Sequence, residues 1–166
     1  MRLRKTVTVD KPVDKVFAYL SDFATTTEWD PGTVQTVRIA GDGPVGTQYR
    51  NTTRFAGRET QLTYVVHELV PNQRIALRGE NKTVTAHDTM TFRTSGGGTE
   101  VTYTADFTFK GVTRFLAPLL KPAVNRLGDR AEAGMRDAWP GSDPADVMRR
   151  CRRAGSRWRA MSYTVA

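Results

Sequence analysis

Cysteine and histidine are nearly missing from this 166-residue chain: Cys151 stands alone, and His67 and His87 are the only histidines. A single cysteine excludes an internal disulfide and a multi-cysteine metal site, and the cytoplasm is the expected compartment. No apolar run is long enough to span a bilayer. The first residues, Met1 to Asp10, are basic and carry no apolar core, so no secretory signal is expected. Motifs for phosphate loops, zinc proteases and serine hydrolases are absent. Gly96, Gly97 and Gly98 form a run that reads as a hairpin turn. It does not open a helix, so it cannot cradle a phosphate at a helix N-terminus. No metal and no cofactor is expected.

Acidic residues are outnumbered 17 to 25 by lysine and arginine, giving a formal charge of +8. Half of that sits beyond residue 139, where six arginines (149, 150, 152, 153, 157, 159) face only Asp143 and Asp146. The remainder is diluted over residues 1–139. Diluted charge is a solvated surface, not the concentrated basic stripe that nucleic acid requires. No nucleic-acid partner is expected. The arginine-rich stretch, with Trp158 and Tyr163, could make weak contact with an anionic membrane. It reads either as a basic appendage or as a shifted reading frame.

What is abundant is alternation. From residue 83 to 109, Val84, Ala86, Met90 and Phe92 share one parity, and His87, Thr89 and Thr91 the other. Beyond the glycines, Val101, Tyr103, Ala105, Phe107 and Phe109 alternate with Thr102, Thr104, Asp106 and Thr108. Period two with β-branched and aromatic residues predicts two antiparallel strands with one covered face. Similar patterns predict strands over 3–9, 33–40, 47–55, 60–69 and 74–79. The short turns between the later strands permit only antiparallel neighbours.

Two short helices are expected between the first two strands. Asp10 is the candidate N-cap of the first, followed by Val13, Val16, Phe17 and Leu20 at helical spacing. The second covers roughly 23–29. From 113 the period changes again: Phe115, Leu116, Leu119, Leu120, Ala123, Val124, Leu127, Ala131 and Met135 outline an amphipathic helix to about residue 139. Pro118 and Pro122 predict a staged start, with the regular helix following Pro122. The expected fold is α+β: a curved antiparallel sheet of about seven strands wrapped around a long C-terminal helix. Residues 1–139 form the domain and 140–166 a basic extension.

Parity also selects candidate residues. His67 and His87 point outward on strands that are second neighbours, about 9–10 Å apart. They read as solvent-face residues unless a β-bulge flips the parity. Asp88 shares the inward parity of Ala86 and Met90. An inward carboxyl without a partner has a raised pKa and can serve in acid/base chemistry or as a ligand anchor. The plainer alternative places it at a wet strand end or beside an arginine. Tyr49, Asn51, Tyr64 and Tyr103 are inward polar tips of the kind that orient a ligand in an apolar cavity. Trp29 sits either at a cavity mouth or in the core. Gly128, Ala131 and Gly134 mean either close helix–sheet contact or room for a ligand. The candidate ligand-binding set is Trp29, Tyr49, Asn51, Tyr64, Asp88, Met90, Tyr103, Phe107, Leu127 and Ala131, with Asp88 and Tyr64 as catalytic candidates.

Several segments carry a family resemblance. They are Val9 to Phe17 with Asp22 and Trp29, Gly43 to Thr47, His67 to Pro71, and Gly97 to Val101. Over residues 2–139 the chain resembles the helix-grip superfamily called SRPBCC, which includes START domains and the birch-pollen allergens. The branch it is most similar to is the polyketide cyclase/dehydrase and lipid-transport family. The resemblance implies a cavity between sheet and C-terminal helix that binds a hydrophobic or amphipathic small molecule. It implies either a carrier or a cyclase/dehydratase using Asp88 and an inward tyrosine. An inward carboxyl with a pKa near neutrality favours the enzyme; a wholly apolar lining favours the carrier. A monomer or a homodimer is expected.

Overall fold

The computed structural model describes residues 1–55 and 57–137. The basic extension from residue 140, with Cys151, Trp158 and Tyr163, lies outside the described residues. Seven strands form one antiparallel sheet. They are β1 (Arg2–Val9), β2 (Thr33–Ala40), β3 (Gln48–Phe55), β4 (Arg58–Val70), β5 (Arg74–Glu80), β6 (Val84–Ser95) and β7 (Gly98–Phe109). Their order is β1-β7-β6-β5-β4-β3-β2. Strands β2 to β7 are therefore a meander, and β1 closes the far edge by pairing with β7 from Arg2 opposite Asp106 to Val9 opposite Thr99. The sheet is curved, and its concave face holds the helices.

The chain crosses between the two sheet edges through α1 (Val13–Ser21), a 3-10 turn (Phe23–Thr25) and α2 (Thr26–Trp29). Val16, Phe17 and Leu20 bury one face of α1, where Phe17 meets Phe92 edge-on with ring centroids 5.2 Å apart. Asp10 does not cap this helix. Pro12 occupies the cap position and, with no polar side-chain atom, supplies no side-chain cap; its carbonyl accepts from the Lys15 and Val16 amides. The side-chain cap is one element later, where Asp22 accepts from the Ala24 amide.

The β6–β7 hairpin pairs without interruption from Val84 opposite Phe109 to Ser95 opposite Gly98. Gly96 and Gly97 turn it, both with positive φ (55° and 89°), the backbone of a turn whose twist matches the strands it joins. Register slips once in β4, between Val66 and Glu68. That bulge moves the inward positions from Leu62, Tyr64 and Val66 to Leu69, which packs opposite buried Ile75. His67 is the extra residue and stays exposed, as does His87.

The C-terminal helix does start in stages, but not where the prolines alone suggest. A 3-10 segment (Gly111–Leu116) leads into α3 (Ala117–Asp137), which runs through Pro122. Pro118 lies in the first turn, where backbone N–H groups have no intrahelical partner anyway. The donor missing at Pro122 costs one bond, to the carbonyl of residue 118. The apolar stripe also starts later than its sequence pattern. Phe115 and Leu119 are 70% and 76% exposed, whereas Val124, Ala131 and Met135 are buried. Leu119 precedes Val124 by five residues, about 140° round the helix at ~100° per residue. Phe115 belongs to the tighter 3-10 segment, whose phase is different.

Along α3 the small residues are contact points. A Cβ on Gly134 would lie 1.7 Å from the Trp29 carbonyl oxygen, and one on Gly128 would lie 2.4 Å from a Leu3 methyl. Helix α3 thus packs closely on β1 and on the end of α2. Among the described residues no helix is long and apolar enough to cross a membrane.

Candidate functional site

Between the sheet and α3 a cavity of about 110 Å³ remains. One buried water needs roughly 10–15 Å³ on this scale, so several would fit. Its apolar wall comes from β3, β4, β6, β7 and α3 and includes Phe55, Leu62, Val84, Phe107, Val124 and Leu127. Phe23 and Trp29 come from the α1–β2 connection. Trp29 is both core and lining: it is 3% exposed, its indole N–H donates to Thr25 Oγ1 at 3.2 Å, and its ring meets Tyr103 edge-on at 6.5 Å.

One side of the cavity carries a directed hydrogen-bond chain. The Thr26 hydroxyl donates to the Phe23 carbonyl at 2.8 Å. The 2.6 Å contact between Thr26 and Thr36 therefore has Thr36 as donor. Thr36 in turn accepts from Asn51 Nδ2 at 2.8 Å, and Asn51 Oδ1 accepts from Thr53 at 2.6 Å. A branch leaves Asn51 Nδ2 for Thr33 at 3.4 Å, and Thr33 donates to Asp30 Oδ2 at 2.8 Å. Asp30 Oδ1 accepts from the Gly32 amide at 2.9 Å. Both oxygens of Asp30 therefore hold a donor. Burial raises the pKa of Asp30, and these two donors oppose the rise.

Asp88 stands in contrast. It sits mid-strand on β6, opposite Leu77 on one side and Ala105 on the other. It is 4% exposed and lines the cavity. Its Oδ1 has no hydrogen-bond partner among the described residues. Its pKa is raised to about 7: desolvation is the largest cause, the hydroxyls of Tyr64 and Tyr103 oppose the rise, and the charges of Asp30 and Asp106 add to it. Burial holds both tyrosine hydroxyls well above their usual pKa, with Asp88 adding to the effect. They are donors that stay protonated.

Tyr64 has its place because β5 carries a glycine opposite it. A Cβ on Gly79 would lie 2.5 Å from two atoms of the Tyr64 ring. That ring also meets Phe23, with centroids 4.8 Å apart.

Seven residues of the sequence-derived set line this cavity: Trp29, Asn51, Tyr64, Asp88, Tyr103, Phe107 and Leu127. Tyr49, Met90 and Ala131 are not lining residues. Met90 and Tyr49 are fully buried in the core, and Ala131 packs there from α3. Inward parity identifies the covered face, but α1 and the lower half of α3 fill part of that face. Sequence reading missed Asp30, Thr26 and Thr33. They sit on or beside irregular backbone, where no parity exists; the spacing of Asp30 before Gly32 and Thr33 was the available signal, an Asx turn. Among the described residues no group of histidine, cysteine, aspartate and glutamate could hold a metal ion.

No curated protein matches the sequence. Among solved structures, the chain is similar to the ZhuI aromatase/cyclase from Streptomyces sp. R1128, with TM-score 0.72, 21% identity, and coverage of 95% of this chain and 99% of that one. It is similar to TTHA0849 from Thermus thermophilus, with TM-score 0.72, 15% identity, and coverage of 83% and 96%. A START superfamily protein from Mycobacterium smegmatis gives TM-score 0.59, 17% identity, and coverage of 80% and 97%. At these identities the likeness is one of fold, the helix-grip fold expected from the sequence. The family model described as polyketide cyclase / dehydrase and lipid transport matches residues 1–139. With seven strands, the α1–α2 crossing and α3 all inside that match, the chain belongs to the polyketide cyclase / dehydrase and lipid transport family.

Proposed function

We propose that this protein binds a hydrophobic or amphipathic small molecule, lipid- or polyketide-like, in the cavity between sheet and α3, as a cytoplasmic carrier or sensor. The observation that supports it is the cavity's construction: an apolar and aromatic lining into which a few polar groups converge, led by Asp88. Apolar surface that leaves water on entering such a site contributes about 25 cal/mol per Å². Native mass spectrometry of protein purified from its source tests the reading. A co-purifying small molecule lost on mild unfolding is expected; protein that never carries one, and takes up no apolar ligand, refutes it.

A second reading, the cyclase/dehydratase, is favoured by the inward carboxyl with a pKa near neutrality, the feature that separates the enzyme from the carrier. A carboxyl half ionised near neutrality can take or give a proton at working pH. In a dehydration of a β-hydroxy ketone, ionised Asp88 would remove the proton next to the carbonyl. The carbon–oxygen bond to the hydroxyl would break, and the hydroxyl would leave as water with the proton carried by Asp88. The net change is loss of one water and return of Asp88 to its ionised form. Tyr64 serves here as a hydrogen-bond donor to the substrate oxygen, since its own proton is held too tightly to transfer. Enone absorbance in single-turnover mixing, with a rate that inflects near pH 7 and vanishes in Asp88→Asn, is the expected result. A rate unchanged in Asp88→Asn eliminates this reading.

A further inference from the structure

The cavity of a protein with formal charge +8 contains no cation. Among its lining residues there is no lysine, arginine or histidine; the only charged side chains are Asp30 and Asp88. Asp30 is already served by Thr33 and the Gly32 amide. Asp88, nine-tenths buried and more, keeps Oδ1 without a donor. A buried carboxyl oxygen without a partner is a costly arrangement unless a donor arrives with the ligand. The hydroxyls of Tyr64 and Tyr103 act on it, and the rings of Phe23 and Trp29 pack against those two tyrosines in the same cavity. Aromatic faces attract cations, and a carboxylate head would meet the like charge of ionised Asp88.

We propose that the cavity takes an amphiphile whose polar head is a protonated amine, held by Asp88 among the aromatic rings, and rejects one headed by a carboxylate. This rests on the binding role proposed above and names the head group of its ligand. Long-range attraction acts in the opposite direction, because the net positive charge draws anions toward the surface. A preference for amines therefore reports the interior and not the exterior.

The pH dependence has a defined sign. The titratable groups acting on Asp88 are Tyr64 from β4, Tyr103 and Asp106 from β7, and Asp30 after α2. Helix α3 brings only Val124 and Leu127 to the cavity. Asp106 is engaged by Arg2 at 2.8 Å on the outer face, and both tyrosines stay neutral. Raising the pH through the Asp88 value of about 7 creates the negative charge. An alkylammonium, with a pKa like that of lysine near ~10.4, keeps its proton over that range. Amine affinity should therefore rise between about pH 5.5 and 8.5, and carboxylate affinity should fall.

The test uses four ligands with one body: propylbenzene, phenylpropanol, phenylpropylamine and phenylpropanoate, titrated by calorimetry and ligand-observed NMR. At about pH 8 the amine should bind at least tenfold more tightly than the carboxylate, with the alcohol between. Asp88→Asn should erase the amine's advantage and its pH dependence. Carbon-detected NMR of the wild-type Asp88 carboxyl gives a measurement that needs no variant: saturation with the amine should lower its pKa. A carboxylate or alcohol that binds as well as the amine overturns the proposal while leaving the cavity reading intact. An Asp88 pKa unmoved by the amine also overturns it. If even propylbenzene fails to bind, the cavity reading itself falls and the head-group proposal falls with it.

Discussion

Two carboxyls face the same cavity and differ in almost everything else. Asp30 lies just after α2 and ends a directed chain of hydroxyls and one amide, with a donor on each oxygen. Asp88 lies in the middle of a regular strand, with one oxygen unmatched. The first cluster is complete as it stands, so its polarity is accounted for by folding. The second is complete only when something else supplies a donor. The difference separates polar groups that hold the wall together from the one that the proposed ligand would complete.

The largest expected effect is on stability against pH. The Asp88 carboxyl has its pKa raised in the folded protein from 3.8 to about 7. The folded state then holds a proton that the unfolded state has released. Stability is full below about pH 4 for this group and is lost as pH rises through about 7. The span corresponds to about 4 kcal/mol at ~1.4 kcal/mol per unit. Urea denaturation at a series of pH values should show that decline, and Asp88→Asn should flatten it. Surface carboxyls such as Asp106, lowered by Arg2, act in the opposite sense and give a shallow background. A wild-type profile that stays flat from about pH 4 to 8 would mean Asp88 is solvated, and the contrast with Asp30 would disappear.

The completed cluster should respond differently. Asn51→Leu removes the donor to Thr36, which keeps its bond to Thr26, and leaves the half-buried Thr53 hydroxyl without its acceptor. An orphaned group costs about 1–3 kcal/mol, and a loss in that range is expected. The loss should vary little with pH, because the chain from Thr53 to Phe23 holds no ionising group and Asp30, on the Thr33 branch, keeps both of its own donors. A denaturation curve for Asn51→Leu that matches wild type would show the chain to be incidental.

How much of this was legible in the sequence depends on whether a residue sits on regular backbone. Tyr64, Asp88, Tyr103 and Phe107 were found because strand alternation fixes the face of every residue, and their strands run without interruption there. The bulge at His67 breaks that rule, yet it falls beyond Tyr64 and leaves the cavity positions unaffected. Alternation does not say what stands opposite each inward residue. Met90 and Tyr49 have the right parity and meet core, not cavity. The Asp30 cluster was invisible for a different reason. Thr26, Asp30 and Thr33 flank α2, and their convergence on Asn51 depends on how the α1–α2 crossing lands on β2 and β3. Gly134 was legible as small, but its partner, the Trp29 carbonyl far earlier in the chain, was not.

A third test asks whether the tyrosines tune Asp88 or merely neighbour it. Gly79→Ala would drive a Cβ to within 2.5 Å of the Tyr64 ring and force it to shift. Removing the hydroxyl alone is gentler. Tyr64→Phe should raise the Asp88 pKa further, since a donor to the ionised form is lost. The stability decline should move to higher pH by the same amount. Ligand affinity should fall about three- to tenfold, the worth of one neutral hydrogen bond.

The smallest effects belong to the histidines, and they are the sharpest control. His67 and His87 are exposed on the convex side, although His87 is the chain neighbour of Asp88. If the cavity face alone decides function, His87→Ala leaves ligand affinity within about 0.5 kcal/mol of wild type, as for an ordinary surface change. Tyr64→Phe, which touches a residue in another strand, must do more. The two variants together weigh distance along the chain against position across the sheet. Equal losses from His87→Ala and Tyr64→Phe would mean that β6 is read from the wrong face. Asp88 would then be a surface carboxyl with water for its missing partner.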